Sequence, residues 1–326
     1  MENAAAFVGS VGIDGVSFIG RDEQYLLCNG SESLNRHLRK SRVRVEMNRG
    51  FGRDSTSASG SANLKKDSRK EEHDSGLYRR HLSDAVTRVI DEMIDCLKDE
   101  GKSGLFVTDG FLGPTVCAQL RKEAESLYEK NLFSRGKSSR HSSITKQQEL
   151  YDKQNVLSMQ VIGGEEQYDI APKIVEYIVH LTRLLPTVIS QQLKPLSLSN
   201  RLQSNKLAVC LGEGSAYDRH IDNGGGGDLR KLTLIYYLNP MWKSKHGGVL
   251  RAYDKFDASK YRDIEPIADR LVAFWSDSLV HEVLPMEGEL SKEQRRYALT
   301  IWFCTDSVTH IHDLDLKVKQ IHFPNV

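Results

Sequence analysis

Between His81 and Leu97 the apolar residues Ala85, Val86, Val89, Ile90, Met93, Ile94 and Leu97 recur at the three-and-four spacing of one helix face. Ser83 or Asp84 can cap its first turn, and Gly101 and Gly104 end it. Leu105-Phe106-Val107 predicts a short strand. Pro114 then stands at a helix first turn ahead of Val116, Leu120, Ala124, Leu127 and Tyr128. Ser134 to Thr145 (SRGKSSRHSSIT) is polar and small, and predicts a mobile loop. A third helix covers Ile174, Tyr177, Ile178, Leu181 and Leu185, with Pro186 expected to bend or stop it.

From Lys206 the period shortens. Strands are predicted near Leu207–Leu211, Leu232–Leu238, Gly248–Tyr253, Arg270–Trp275, His281–Leu284 and Tyr297–Cys304. Helices first and clustered strands afterwards imply an α+β chain, with helices packed on an antiparallel sandwich or barrel and no βαβ alternation.

Residues 1–80 carry no sustained period. Arg36 to Arg53 is basic, and Asp54 to Arg69 is rich in Ser, Gly and Lys. The expectation is a disordered leader over 1–80 and one domain over 81–326. The basic run is read as a solvated tail rather than as an import or nucleic-acid patch. A net charge of +1, 39% hydrophobic and 27% charged residues describe an ordinary globular chain. No strong pull towards nucleic acid or an acidic membrane follows from that charge.

No apolar run approaches the ~20 residues of a bilayer span. The N-terminus lacks a basic region before its apolar stretch, so no secretory signal is expected. Cys28, Cys96, Cys117, Cys210 and Cys304 fit neither a CxxC pair nor a disulfide framework. These features point to a reducing compartment, cytoplasmic or nuclear.

His220-Ile221-Asp222 is the sole His-x-Asp. On a strand, residues two apart share a face, so both side chains can meet one ion. His281, opening a predicted strand, is the candidate third ligand. Two histidines and one carboxylate leave positions open on a divalent iron. Arg296 opens the strand RYALTIWF, where a fixed guanidinium can grip the distal carboxylate of a dicarboxylic co-substrate. Tyr237 can add a hydroxyl to the same carboxylate. A second cluster, His310, His312, Asp313 and Asp315, is read as solvated.

The segments YDRHIDN (217–223), LTLIYYLNPMW (232–242), HGGVLRAY (246–253), DRLVAFWSD (269–277), HEVLP (281–285) and RYALTIWF (296–303) resemble, in order, the prolyl 4-hydroxylases of the hypoxia-inducible-factor type. The resemblance covers roughly 206–304 and implies a double-stranded β-helix, or jelly roll, flanked by N-terminal helices. It implies His220, Asp222 and His281 as iron ligands and Arg296, with Tyr237, as the grip on 2-oxoglutarate. Tyr217 and Thr300 match residues near that co-substrate, Trp302 one beside the substrate cleft, and Arg230 one that contacts the substrate peptide. The implied reaction consumes dioxygen and 2-oxoglutarate, with ascorbate as support, and hydroxylates C4 of a prolyl residue in a protein substrate. A monomer without membrane or nucleic-acid partners is expected.

The chain departs from the family at Cys210, where some members place a tyrosine near the co-substrate, at an insertion, MEGELSKEQ (286–294), expected to lengthen a hairpin loop, and at Gly224–Gly227, expected to be a flexible turn. Two rivals stand beside this reading. An AlkB-type nucleic-acid demethylase carries a second arginine six residues after the first, where this chain has Trp302. A non-catalytic jelly-roll peptide reader would have no need of intact ligands.

Overall fold

The computed structural model describes residues 58–98, 104–141 and 148–324. The chain runs through α1 (Ala58–Lys98), β1 (Leu105–Thr108), α2 (Pro114–Glu129), β2 (Ser134–His141), β3 (Gln148–Met159), α3 (Glu165–Ile170) and α4 (Pro172–Gln192). Strands β4 (Leu198–Cys210), β5 (Tyr217–His220), β6 (Arg230–Tyr237), β7 (Leu250–Asp254) and β8 (Asp257–Ile264) follow. After them come β9 (Leu271–Trp275), β10 (His281–Val283), β11 (Arg296–Thr305) and a short α5 (Leu316–His322). All pairings are antiparallel. Seven strands form one sheet in the order β1-β9-β6-β11-β4-β3-β2, and four form a second in the order β5-β10-β7-β8.

Strand β6 shows how these layers are held. Its residues are apolar on both faces because both faces are buried. Leu232, Leu234 and Tyr236 point to the helices, where they join Leu82, Met93, Leu120, Ile178 and Leu181 in the larger core. Ile235 and Tyr237 point the other way and join Leu250, Ala252, Ile264 and Val283 of the four-stranded sheet. The alternation repeats on β11, with Tyr297, Leu299, Ile301 and Phe303 towards the helices and Ala298 towards the opposite sheet. Each fully buried Leu or Phe in these layers contributes about 1.5–3 kcal/mol. The architecture is the antiparallel sandwich with packed helices that the strand pattern predicts, in the jelly-roll form that the family resemblance implies.

Three expectations change. Helix α1 starts at Ala58, so helical structure precedes His81, while residues 1–57 of the expected leader lie outside the described residues. The docking of its earlier turns is polar: Ser75 Oγ donates to Glu176 Oε1 at 2.5 Å, Arg79 Nη2 to the same oxygen at 3.2 Å, and the Tyr78 hydroxyl to the Lys173 carbonyl at 3.3 Å. Such contacts leave no apolar period to read. The basic run Arg36–Arg53 lies outside the described residues.

Ser134–His141 is strand β2, paired with β3 from Ser134↔Ser158 to His141↔Gln148. Backbone pairing supplies what the side chains do not advertise, and residues 142–147 of the expected loop lie outside the described residues. Pro186 lies inside α4, which runs on to Gln192. The proline loses one backbone donor, but it is itself buried among Leu185 and Ile189, and that packing offsets the loss. Strand β8 was absent from the expected set because its outward residues are polar and exposed.

Candidate metal centre

His220 ends β5 and His281 begins β10, and the two are direct partners in the antiparallel register. Their ring centroids lie 4.3 Å apart. Asp222 falls two residues past His220, beyond the end of β5, so a loop rather than a shared strand face brings its carboxylate in. Its Oδ1 stands 3.4 Å from His220 Nε2 and 3.9 Å from His281 Nε2. One ligand atom from each residue lies within 4.8 Å of the others, and all three residues are buried. Among the described residues no other group of three or more His, Cys, Asp or Glu is so placed.

The surroundings fix which atoms face inward. His220 Nδ1 lies 2.7 Å from the Asp218 carbonyl and His281 Nδ1 lies 3.1 Å from the Leu279 carbonyl. A carbonyl only accepts, so each Nδ1 carries a proton and each Nε2 is the ring nitrogen turned towards Asp222. Asp222 Oδ2 accepts from Thr233 Oγ1 at 2.6 Å and from Trp302 Nε1 at 3.0 Å, leaving Oδ1 for an ion. Thr233 has one proton and gives it to Asp222, so Ser276 Oγ, at 2.7 Å, donates to Thr233.

Burial would raise the Asp222 pKa, but His220 and His281 outweigh it and hold the carboxyl well below its ordinary range. Burial, with His220 alongside, pushes His281 down to about 4. Both groups therefore stand at neutral pH in the forms a cation needs, one carboxylate and one neutral imidazole.

Arg296, Ala298, Thr300 and Trp302 alternate along β11, so the predicted arginine, threonine and tryptophan share the face that looks into the jelly roll. Arg296 is 3% exposed. Its Nε donates to the Gly248 carbonyl at 2.9 Å and its Nη2 reaches the Tyr237 hydroxyl at 3.5 Å. Among the described residues it forms no ion pair. Tyr237 lies fully buried on the inward face of β6, and burial raises its pKa, so it stays a protonated donor. Tyr217 is partly buried opposite Val283, with the Lys153 ammonium 3.9 Å from its ring centroid. Arg230 is clamped by Asp228, with Nε and Nη2 at 2.9 and 2.6 Å from Oδ2, and lies 5.6 Å from the Trp302 ring centroid.

The glycine run is tied rather than loose. Asn223, fully buried, accepts from Gly225 N and donates to the carbonyls of Asp228 and Arg230. Nor is the C-terminal cluster merely solvated. His310 Nδ1 bonds Thr305 Oγ1, the His312 backbone N–H donates to the buried carboxylate of Asp277, and Asp315 caps α5. His312 and Asp313 side chains do face solvent. Thr233, Ser276 and Asn223 hold the site and were missed; their one signal is polar side chains inside apolar strands or directly after a ligand.

Comparison with known proteins agrees with this geometry. Residues 205–304 match the 2OG-Fe(II) oxygenase superfamily model. The chain is 31% identical over 221 residues to Egl nine homolog 1 of Rattus norvegicus, covering 67% of this chain and 60% of that protein. It is 32% identical over 235 residues to the hypoxia-inducible factor prolyl hydroxylase of Caenorhabditis elegans, covering 71% of this chain and 29% of that one. This chain thus spans less than two thirds of either relative.

A solved prolyl hydroxylase of Trichoplax adhaerens, in complex with a hypoxia-inducible-factor peptide fragment, superposes with a TM-score of 0.51 at 26% identity, over 68% of this chain and 94% of that one. The chain therefore carries a domain of the 2OG-Fe(II) oxygenase superfamily, and within that superfamily its similarity lies with the prolyl hydroxylases of the hypoxia-inducible-factor type.

Proposed function

We propose that this chain hydroxylates C4 of a prolyl residue in a protein, using Fe(II), 2-oxoglutarate and dioxygen. The observation that carries the reading is a pair of complementary sites on one inner face. Two imidazole nitrogens and one carboxylate oxygen converge at His220, His281 and Asp222. On the same side, a buried guanidinium at Arg296 has only neutral hydrogen-bond partners. A buried cation without a counter-charge is costly, so the pocket suits an anionic ligand.

The donor set fits a divalent iron with open positions, and Arg296 fits the far carboxylate of a dicarboxylate that chelates it. When bound, iron and 2-oxoglutarate supply the oxidising chemistry, with dioxygen consumed and the co-substrate decarboxylated. The residues do the rest. The Nδ1 bonds to Asp218 and Leu279 orient the imidazoles, and Thr233 and Trp302 keep the Asp222 carboxylate from rotating. Arg296 and Tyr237 orient the co-substrate, with Thr300 and Tyr217 beside it. Phe274, 4.9 Å from the His281 ring, and the apolar interior keep bulk water out. Trp302 borders the substrate cleft, and Arg230, held by Asp228, contacts the substrate peptide.

Trp302 speaks against a nucleic-acid demethylase, since its indole N–H is committed to Asp222 and no second arginine stands there. We read the enzyme as an intracellular monomer, cytoplasmic or nuclear, that uses ascorbate to keep its iron reduced. The cysteines of the described residues are all free, in keeping with a reducing compartment, and no helix there is long and apolar enough to cross a membrane.

The test is to incubate dialysed host lysate with the protein, Fe(II), 2-oxoglutarate and ascorbate, and to map new oxygen additions by mass spectrometry. A proline oxidised by the wild type and not by His281→Ala is the expected result. Oxidation confined to another residue type, or none above the variant, overturns the prolyl reading.

A further inference from the structure

The insertion 286–294 is not a free hairpin loop. It is laid across the loop before β5 and across the Gly247-Gly248 pair. Met286 N–H donates to the Ser215 carbonyl and its own carbonyl accepts from Gly214 N–H. Glu289 bridges Gly212, and Glu213 N–H donates to Gly288 O. At the far end, the buried Arg121 guanidinium donates to the carbonyls of Lys292, Glu293 and Arg295. Both ends of the insertion are therefore pinned, and a single residue, Arg295, separates it from Arg296.

The first residue of the insertion packs beside the stem of Arg296. Met286 is 1% exposed and packs with Val156, Cys210 and Leu290, with Tyr217 against them. Cys210 is the register partner of Arg296. A side chain begun at Gly248 would meet the Met286 sulfur at 1.9 Å and Arg296 Cδ at 3.0 Å. The thioether and the arginine stem therefore share the hollow that Gly248 leaves, and the Gly248 carbonyl holds Arg296 Nε from the same spot. Gly248 has φ +70, a conformation L side chains rarely adopt, so the hollow is built into the backbone.

We propose that Met286 backs Arg296 and thereby sets the length of the 2-oxo dicarboxylate that the pocket accepts. This rests on the co-substrate reading above. The distance between the His220, Asp222 and His281 ligand atoms and the guanidinium decides which acid can chelate at one end and pair at the other. Met286 prevents the arginine from receding, so an acid one methylene longer than 2-oxoglutarate meets a fixed end wall. Met286 is a positioning residue: it acts through Arg296.

The experiment is anaerobic calorimetry on the full chain loaded with Fe(II), titrated with 2-oxoglutarate and with 2-oxoadipate. Binding is read without turnover. For the wild type the shorter acid should bind about 10–200-fold more tightly, the span a single methylene commands. Met286→Ala should bring the two acids to within about 3-fold, largely by gaining 2-oxoadipate, while Met286→Leu, similar in volume, should keep the wild-type ratio.

A Met286→Ala protein with the wild-type ratio overturns the proposal. So does a wild type that binds both acids equally, which needs no variant to fold. Where the alanine variant does not fold, Met286→Val is held to the same outcome. A wild type that binds neither acid overturns the co-substrate reading instead.

Discussion

Thr233→Val isolates the contribution of one hydroxyl to the metal centre. Valine has nearly the same shape, and Thr233 is 1% exposed on β6, so the packing is kept while the donor is lost. The lost contact is a 2.6 Å hydrogen bond to an ionised carboxylate. Hydrogen bonds to charged groups contribute about 1.5–3 kcal/mol, and 1.4 kcal/mol is tenfold in a binding constant. Asp222 Oδ2 keeps its Trp302 partner at 3.0 Å, so the carboxylate is loosened rather than freed.

The expected cost is therefore about 10–100-fold in metal affinity, in line with partners of metal ligands generally. The assay is an anaerobic Fe(II) titration against a competing chelator, with the thermal midpoint of the metal-free protein recorded beside it. Trp302→Phe is the companion variant. Because both donors address one oxygen, the double variant should lose more than the sum of the singles, since only then is Oδ2 left buried without a donor. Metal affinity within about twofold of wild type in a folded Thr233→Val protein would refute the reasoning, because the orientation of Asp222 would then not depend on this hydroxyl.

Two further outcomes can be checked. Arg296→Ala should weaken 2-oxoglutarate binding by about 2–5 kcal/mol with iron binding retained, measured by anaerobic titration. Glu123 accepts the Lys173 and Ile174 N–H groups at the start of α4, and burial pushes its carboxyl up from 4.5 to about 7. The folded state thus holds this proton more tightly than the unfolded state, so the group's stabilising contribution, present in full below about 4.5, is lost as pH rises through about 7. Denaturant melts across that window should show a shallower fall for Glu123→Gln than for wild type, and equal slopes would count against the shift.

Much of the site was legible because its chemistry obeys the period of a strand. Arg296, Thr300 and Trp302 are spaced by multiples of two, and Tyr237 shares the inward set with Ile235. What could not be read is what leaves that period. Asp222 lies past its strand, and nothing in the spacing says that Thr233, eleven residues on, turns back to hold it. The docking of α1 before His81 rests on Ser75 and Arg79, which look like surface residues until Glu176 is placed beneath them. Strand β2 is polar and pairs through its backbone. Met286 read as the start of a loop, because the hollow that takes its sulfur is made by glycines almost forty residues away in sequence.

The carboxylate that would bind the metal is steered from the larger sheet, through Thr233 on β6 and Trp302 on β11, whereas both imidazoles belong to the smaller one. An ion held by all three fastens the two halves of the sandwich together. Such an ion binds the folded chain and not the unfolded one, so the folded population grows with the free metal concentration, by RT ln(1 + [M]/Kd). Removing the metal would then lower the thermal midpoint of the folded chain as well as emptying the site.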